Sequence, residues 1–236
     1  MELWNRFDRL VMFDTETTGI TFGKDRIIEI GAVALERDGE RGSFNALLRL
    51  PEGQTLPPFI TQLTGITDDQ LAREGVDDRT AAEGLCRLLE GAERPLLSAY
   101  NAQFDLNFLY YLLRDTGRAS CLKELKFLDA LTVYKDRRDY PHKLKDAIAA
   151  YGLDGEVENS HRAVDDARAM TALLWAMAAE RDDLLEYVNL FGYHPKYGVS
   201  GKRISSVTYL PQGYRRGAPL YEKKRGGDAA AWSGRA

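Results

Sequence analysis

Val11-Met12-Phe13-Asp14-Thr15-Glu16-Thr17-Thr18-Gly19 is the stretch from which the fold and chemistry of this chain are read. Leu10 to Phe13 is a short apolar run of strand formers. Asp14 and Glu16 follow two residues apart, and in an extended chain side chains at that spacing share a face. Both carboxylates therefore leave one strand end toward one point. Two like charges so close oppose each other's ionisation unless a positive charge lies between them. A hard divalent cation with oxygen ligands meets that need. The Thr17-Thr18-Gly19 turn is small and hydroxyl-bearing, and its glycine lets another molecule's backbone come close. An isolated Asp-x-Glu is equally what a solvated strand end looks like, so the reading depends on partners further along.

Those partners appear in order. Ile27-Ile-Glu-Ile-Gly-Ala-Val-Ala-Leu35 is a second β-rich run and residues 43–50 a third, separated by the turn-rich Arg37-Asp38-Gly39-Glu40. Three such runs in succession predict an antiparallel meander. Thr67 predicts a helix cap, with Gln70 completing a capping box, and Ala82, Leu85, Leu88 and Leu89 predict an amphipathic helix over 79–91. Pro95–Tyr100 reads as a fourth strand, with Asn101 placed to cap a helix from Ala102. That puts Asp105 in the first turns of a helix following a strand, where α/β folds place ligand sites. An acid there also complements the helix dipole with no further role. Lys126–Asp129 predicts a fifth strand, and helices over 131–138 and 143–151 follow. His161 then stands ahead of a helical pattern that runs from Arg162 through Ala179, with Asp165 and Asp166 in its first turn. If His161 were on the helix, the i, i+4 spacing would favour Asp165 as its partner; from a loop before the helix, Asp166 becomes eligible.

The totals narrow the classes. At 236 residues, 44% hydrophobic and 29% charged, the chain has the make-up of a globular protein with a full core. Its formal charge of −4 argues against a strongly basic nucleic-acid binder. The charge is uneven, however: from Leu190 onward nine Lys and Arg face two Asp and Glu. Tyr193, Tyr197, Tyr209, Tyr214, Tyr221 and Trp232 interleave with them, a mixture that suits a polyanionic strand by charge neutralisation and stacking. Ile204, Val207 and Leu210 are spaced to bury something, and the last fifteen residues read as disordered. Cys86 and Cys121 lie in no metal or redox spacing. The longest apolar stretch, Ala169–Ala179, is too short for a bilayer, so a soluble, cytoplasmic protein without a membrane partner is expected.

Asp-Thr-Glu-Thr-Thr-Gly, Arg-Ile-Ile-Glu-Ile-Gly-Ala-Val, Leu-Thr-Gly-Ile-Thr, Asn-Ala-Gln-Phe-Asp and His-Arg-Ala-Val-Asp-Asp-Ala occur in that order. The set resembles the DEDDh family of 3′–5′ exonucleases, nearest to the proofreading epsilon-subunit type of bacterial DNA polymerase III, over about residues 8–180. The resemblance implies an α/β fold, a ribonuclease-H-like mixed five-stranded sheet flanked by helices. It implies an exonuclease domain, taken over 1–189; the shift in composition marks a basic, aromatic-rich C-terminal extension over 190–236, partly disordered. It implies that Asp14, Glu16, Asp105 and Asp166 hold two Mg²⁺ ions, for which Mn²⁺ substitutes, and that His161 is the general base. The family pattern places four residues between His and Asp, which selects Asp166 over Asp165. Thr17, Gly19, Leu63, Thr64 and Phe104 are implied to line the pocket for the terminal nucleotide. One departure is Tyr100, where many relatives have His before Asn-Ala-x-Phe-Asp; it touches a supporting position only.

The expected function is metal-dependent hydrolysis of phosphodiester bonds at single-stranded or frayed DNA 3′ ends, releasing nucleoside 5′-monophosphates in proofreading or repair. Two cations clamping the attacking and leaving oxygens supply the activation and charge neutralisation such hydrolysis needs. All-oxygen ligands select Mg²⁺ or Mn²⁺ over zinc, and a histidine can take the water's proton near neutral pH. One rival is a 3′–5′ exoribonuclease of the same chemistry in RNA maturation or turnover, since no position here decides how a 2′-hydroxyl is treated. A rival of another class is an accessory subunit that docks a DNA polymerase III through the extension.

Overall fold

The strand that begins ahead of Asp14 does not stop there. In the computed structural model, which describes residues 1–123, 125–157, 161–193, 204 and 206–225, a short helix α1 (Leu3–Arg6) leads into β1 (Arg9–Thr17). Asp14 and Glu16 therefore lie inside a paired strand, not beyond its end. β2 (Ile27–Glu36) and β3 (Gly39–Leu47) complete the predicted antiparallel meander. The third strand starts four residues earlier than its hydrophobic pattern suggested, because the reversal needs only Arg37 and Asp38 and pairing resumes at Gly39. Three helices follow: α2 (Pro58–Thr64), α3 (Asp68–Glu74) and α4 (Asp78–Leu89). α2 hides in a Pro-rich stretch that offered no helical periodicity; it opens with Pro58 in its first turn, where a missing N–H costs nothing, and ends on Gly65 at φ 72°. α3 carries the predicted capping box, Thr67 with Gln70.

Then come β4 (Pro95–Ala99), α5 (Ala102–Asp115), a 3₁₀ turn at Ala119–Leu122, β5 (Lys126–Asp129), α6 (Ala130–Arg137), α7 (Leu144–Ala150) and α8 (Ala163–Glu180). The sheet order is β3-β2-β1-β4-β5, with β4 and β5 parallel to β1. This is the mixed five-stranded sheet flanked by helices that the resemblance implied. Beyond a 3₁₀ turn at Leu184–Tyr187, β6 (Leu190–Tyr193), β7 (Thr208–Pro211) and α9 (Leu220–Arg225) form a small parallel pair and a last helix. α9 takes up the first part of the stretch expected to be disordered; residues 226–236, with 194–203 and 205, lie outside the described residues, and with them that expectation.

Period-two alternation divides the sheet into two faces. Val11 and Phe13 of β1, with Ile30 and Ala32 of β2, pack against Leu106, Leu109 and Leu113 of α5 and Leu85 of α4. Leu10 and Met12, with Val33 and Leu35, pack against Met170, Leu173, Leu174 and Met177 of α8. Continuing the count, Asp14 and Glu16 fall on the α8 face and Thr15 on the α5 face. The strand thus addresses both helices from successive residues. The extension is seated on this body. Phe191, Ile204 and Val207 join the core on the α5 side, while Leu190, Leu210 and Leu220 form a satellite cluster. Asn189, at φ 57°, covers the outer edge of β5: its N–H donates to the Phe127 carbonyl at 2.8 Å and its side-chain oxygen accepts from the Phe127 N–H at 2.8 Å.

Candidate active site

Near the C-terminal end of β1, side chains from the strand meet side chains from the entries to α5 and α8. Glu16, His161 and Asp166 offer ligand atoms that all lie within 4.8 Å of one another, and among the described residues this is the only such group of three or more His, Cys, Asp or Glu. Asp166 is buried in the first turn of α8, whereas Asp165 beside it is half-buried. His161 is exposed and sits off the helix with φ 55°, a conformation His adopts more readily than bulky residues. Asp105 comes from the other face. It is buried in the first turn of α5, and its Oδ1 accepts the Thr15 hydroxyl at 2.6 Å and the Thr15 N–H at 3.1 Å.

The charges confirm how crowded this end is. Burial, then the charges of Asp105, Asp166, Glu16 and Glu29, hold the Asp14 carboxyl well above the usual carboxylate range. Burial, then Asp166, Glu29 and Asp105, push Glu16 up to about 8, with the Arg162 guanidinium pulling the other way. Burial pushes Asp105 up to about 7 against the hydrogen bonds from Thr15. Without a cation, burial and mutual repulsion favour the protonated form of these carboxyls. Oxygen donors around one Mg²⁺ stand about 2.1 Å from it, hence at most ~4.2 Å apart, and a carboxylate oxygen of Glu16 lies within 4.8 Å of one of Asp166. A set of carboxylates with one imidazole, crowded enough to hold protons near neutrality, fits a hard divalent cation.

The pocket residues divide. Leu63 is exposed on α2, one turn from the exposed Phe59. Phe104 packs in a cluster with Phe22 and Phe108, its ring tilted against theirs with centroids 5.9 and 5.0 Å away. Thr17 is buried, with its hydroxyl donating to the Gly19 carbonyl at 2.7 Å. Any side chain at Gly19 would run into the Asp25 carboxylate, which accepts the Thr21 N–H at 2.8 Å and holds the loop closed. Thr64 faces inward instead of onto the surface: its hydroxyl donates to the Ile60 carbonyl at 2.9 Å and accepts the Ile66 N–H at 3.1 Å. The Tyr100 hydroxyl is engaged elsewhere, donating to the His142 carbonyl at 2.8 Å.

Asn101 does not cap α5 as the sequence suggested. It takes φ 65° and its side chain makes no cap bond; Asp129, at the end of β5, accepts the Ala102 N–H at 3.0 Å instead. Sequence reasoning also passed over Thr15, Glu29 and Arg162. A signal existed for Glu29, a lone carboxylate inside the apolar run Ile27–Leu35.

The chain belongs to the Exonuclease (RNase_T) family, whose pattern it matches over residues 11–174. It is 39% identical over 170 residues to the DNA polymerase III PolC-type of Clostridium perfringens, covering 71% of this chain and 11% of that protein. It is 34% identical over 174 residues to the DNA polymerase III subunit epsilon of Treponema pallidum, covering 71% of this chain and 75% of the subunit. Among solved structures, E. coli exonuclease I in complex with a dT13 oligonucleotide superposes with a TM-score of 0.66 at 18% identity, covering 76% of this chain and 43% of that one, and so shares the fold. The chain thus spans most of the epsilon subunit but only a small part of the polymerase. Family and relatives together support a 3′–5′ exonuclease. Among the described residues no helix is long and apolar enough to cross a membrane.

Proposed function

We propose that this chain removes nucleotides from DNA 3′ ends, single-stranded or frayed, by metal-dependent hydrolysis that releases nucleoside 5′-monophosphates. The observation that carries the reading is the convergence of Glu16, His161 and Asp166 within 4.8 Å, beside Asp14 and Asp105. Asp14 and Glu16 would hold one Mg²⁺ and Asp105 the second, with Asp166 completing the cage; Mn²⁺ would substitute. Bound there, the cations supply an activated water and offset charge on the phosphate and the leaving oxygen. His161, on the exposed turn before α8, takes the proton of the attacking water. Leu63, Phe104 and the Thr17–Gly19 turn receive the terminal nucleotide; Thr64 contributes by fixing the end of α2 rather than by direct contact. The polymerase names of the relatives support a place in proofreading or repair, in the cytoplasm, with a DNA polymerase III as partner.

The test is a panel of 3′-end substrates, namely DNA and RNA of one sequence, mismatched and paired ends, and a 3′-blocked control, each with Mg²⁺, with Mn²⁺ and with chelator. Stepwise shortening of unblocked DNA that stops in chelator is expected. Preference for RNA would move the substrate to RNA ends, and inertness toward every oligonucleotide would overturn the reading.

A further inference from the structure

One carboxylate at this end is not among those assigned to hold a cation. Glu29 lies directly across the β1–β2 ladder from Glu16, on the face that α8 covers, and is fully buried. Like charges directly opposite in an antiparallel pair destabilise it, and a buried carboxylate is costly unless fully hydrogen-bonded. Packing alone gives no reason for a carboxylate here. Its partners do. Arg162 Nε donates to the two carboxylate oxygens at 3.1 and 3.2 Å, Arg162 Nη2 donates at 2.8 Å, and the Ala163 N–H donates at 3.1 Å. Arg162 is the residue that opens α8, and its side chain makes no cap bond to the helix. A strand over 130 residues upstream therefore supplies the acceptor that the first turn of α8 needs. Two residues on, Gly31 leaves room for the same turn: a Cβ there would overlap the Ala163 carbonyl carbon and the Val164 nitrogen.

We infer that Glu29 and Arg162 form a latch that fixes the entry to α8 and thereby sets His161 and Asp166 against Glu16. The inference rests on the exonuclease reading of the site. Both are positioning residues. Arg162 follows His161 directly and precedes Asp166 by about one helical turn. The latch thus falls between the exposed imidazole and the buried carboxylate. Glu29 is buried but the Arg162 side chain is 38% exposed, so solvent screens the pair and its charge adds little net stability. What the forked guanidinium adds is orientation, which a point charge does not give.

The test uses the full chain and the variants Glu29→Gln and Arg162→Lys. Glu29→Gln keeps the shape and an acceptor for the Ala163 N–H; Arg162→Lys keeps the charge and loses the fork. Melting temperature, kcat and KM on a DNA oligonucleotide, and Mn²⁺ binding followed by the spin-resonance signal of the free ion are measured for each. Both variants are expected to melt within a few degrees of the parent and to leave KM nearly unchanged. kcat should fall about 10–100-fold, and half-saturation with Mn²⁺ should rise about tenfold or more, the range for residues that orient metal ligands. The latch is overturned if either variant keeps kcat and Mn²⁺ half-saturation within about twofold of the parent, or if the losses only track lowered stability. An inert parent would sink the exonuclease reading instead, and the Mn²⁺ titration would still decide the latch.

Discussion

A proton and a divalent cation compete for the same oxygens at Asp14, Glu16 and Asp105. In the unfolded chain these carboxyls ionise near about 4. Folded and without metal, Glu16 holds its proton up to about 8 and Asp105 up to about 7. Between those limits the folded state binds more protons than the unfolded one, so stability falls as pH rises from about 4 to about 8. In chelator, then, the melting temperature should decline from pH 5 to pH 8. Glu16→Gln, which removes one of these raised carboxyls, should flatten that decline. Mg²⁺ should reverse it and release protons on binding, read by calorimetry in buffers of different ionisation enthalpy. A melting temperature of the metal-free protein that rises over that range, with Glu16→Gln making no difference, would contradict the assignment. At Asp165 and Asp166 the expected contrast is sharp: Asp166→Ala should lose about 10²–10³-fold in rate, as when one charge-stabilising group is removed, and Asp165→Ala should stay near the parent in a stepwise-shortening assay. The Asp14–Glu16 pair was legible because strand period alone puts both on one face. Thr15 was not, because its partner Asp105 is 90 residues away and only the fold brings the α5 face to it.

The elements show the same division between local and distant causes. The capping box of α3 lies within four residues and could be read directly. The entries to α5 and α8 could not, since each is completed by a carboxylate from another strand, Asp129 for one and Glu29 for the other. Both helices carry a site acid in the first turn, where the helix dipole favours negative charge. Gly31 tests how tightly α8 is seated. The groups its Cβ would meet are backbone, which cannot swing aside as a side chain can. Gly31→Ala is therefore expected to cost about 3 kcal/mol, the upper part of the usual overpacking range. For a chain of this size that is a fall of roughly 6–12 °C in melting temperature. A fall of under a degree would mean that α8 rides on the sheet more loosely than the close approach of Gly31 to Ala163 and Val164 requires.

At the scale of the molecule, the composition changes at Leu190 but the packing does not. Phe191 and Leu220 are fully buried, and Ile204, Val207 and Leu210 nearly so. Asp136 of α6 accepts the Leu220 N–H at 2.6 Å and a bond from the Gln212 side chain. The short strands and last helix here have too few residues to show a period, so the spacing of Ile204, Val207 and Leu210 was the one hint of packing beside composition. Each of these buried apolar side chains contributes about 1.5–3 kcal/mol, and together they rival the whole stability of an ordinary domain, about 5–15 kcal/mol. A chain ended at Asn189 should therefore fail to fold cooperatively, while one ended at Arg225 should melt like the parent. That makes the longer truncation unsuitable for asking whether the extension binds a nucleic-acid strand. Point changes are suitable. Arg215 and Lys223 are exposed, and if each meets a phosphate of single-stranded DNA, its loss should lower the slope of log affinity against log salt by about 0.7. Residues 226–236 contain one Asp and one Arg, so ending the chain at Arg225 leaves the net charge unchanged and should leave that slope alone. Arg215→Ser with Lys223→Ser should lower it by up to about 1.4, read from titrations of a labelled oligonucleotide at several salt concentrations. A slope unmoved by the double change would leave the extension with a packing role and no part in holding the strand.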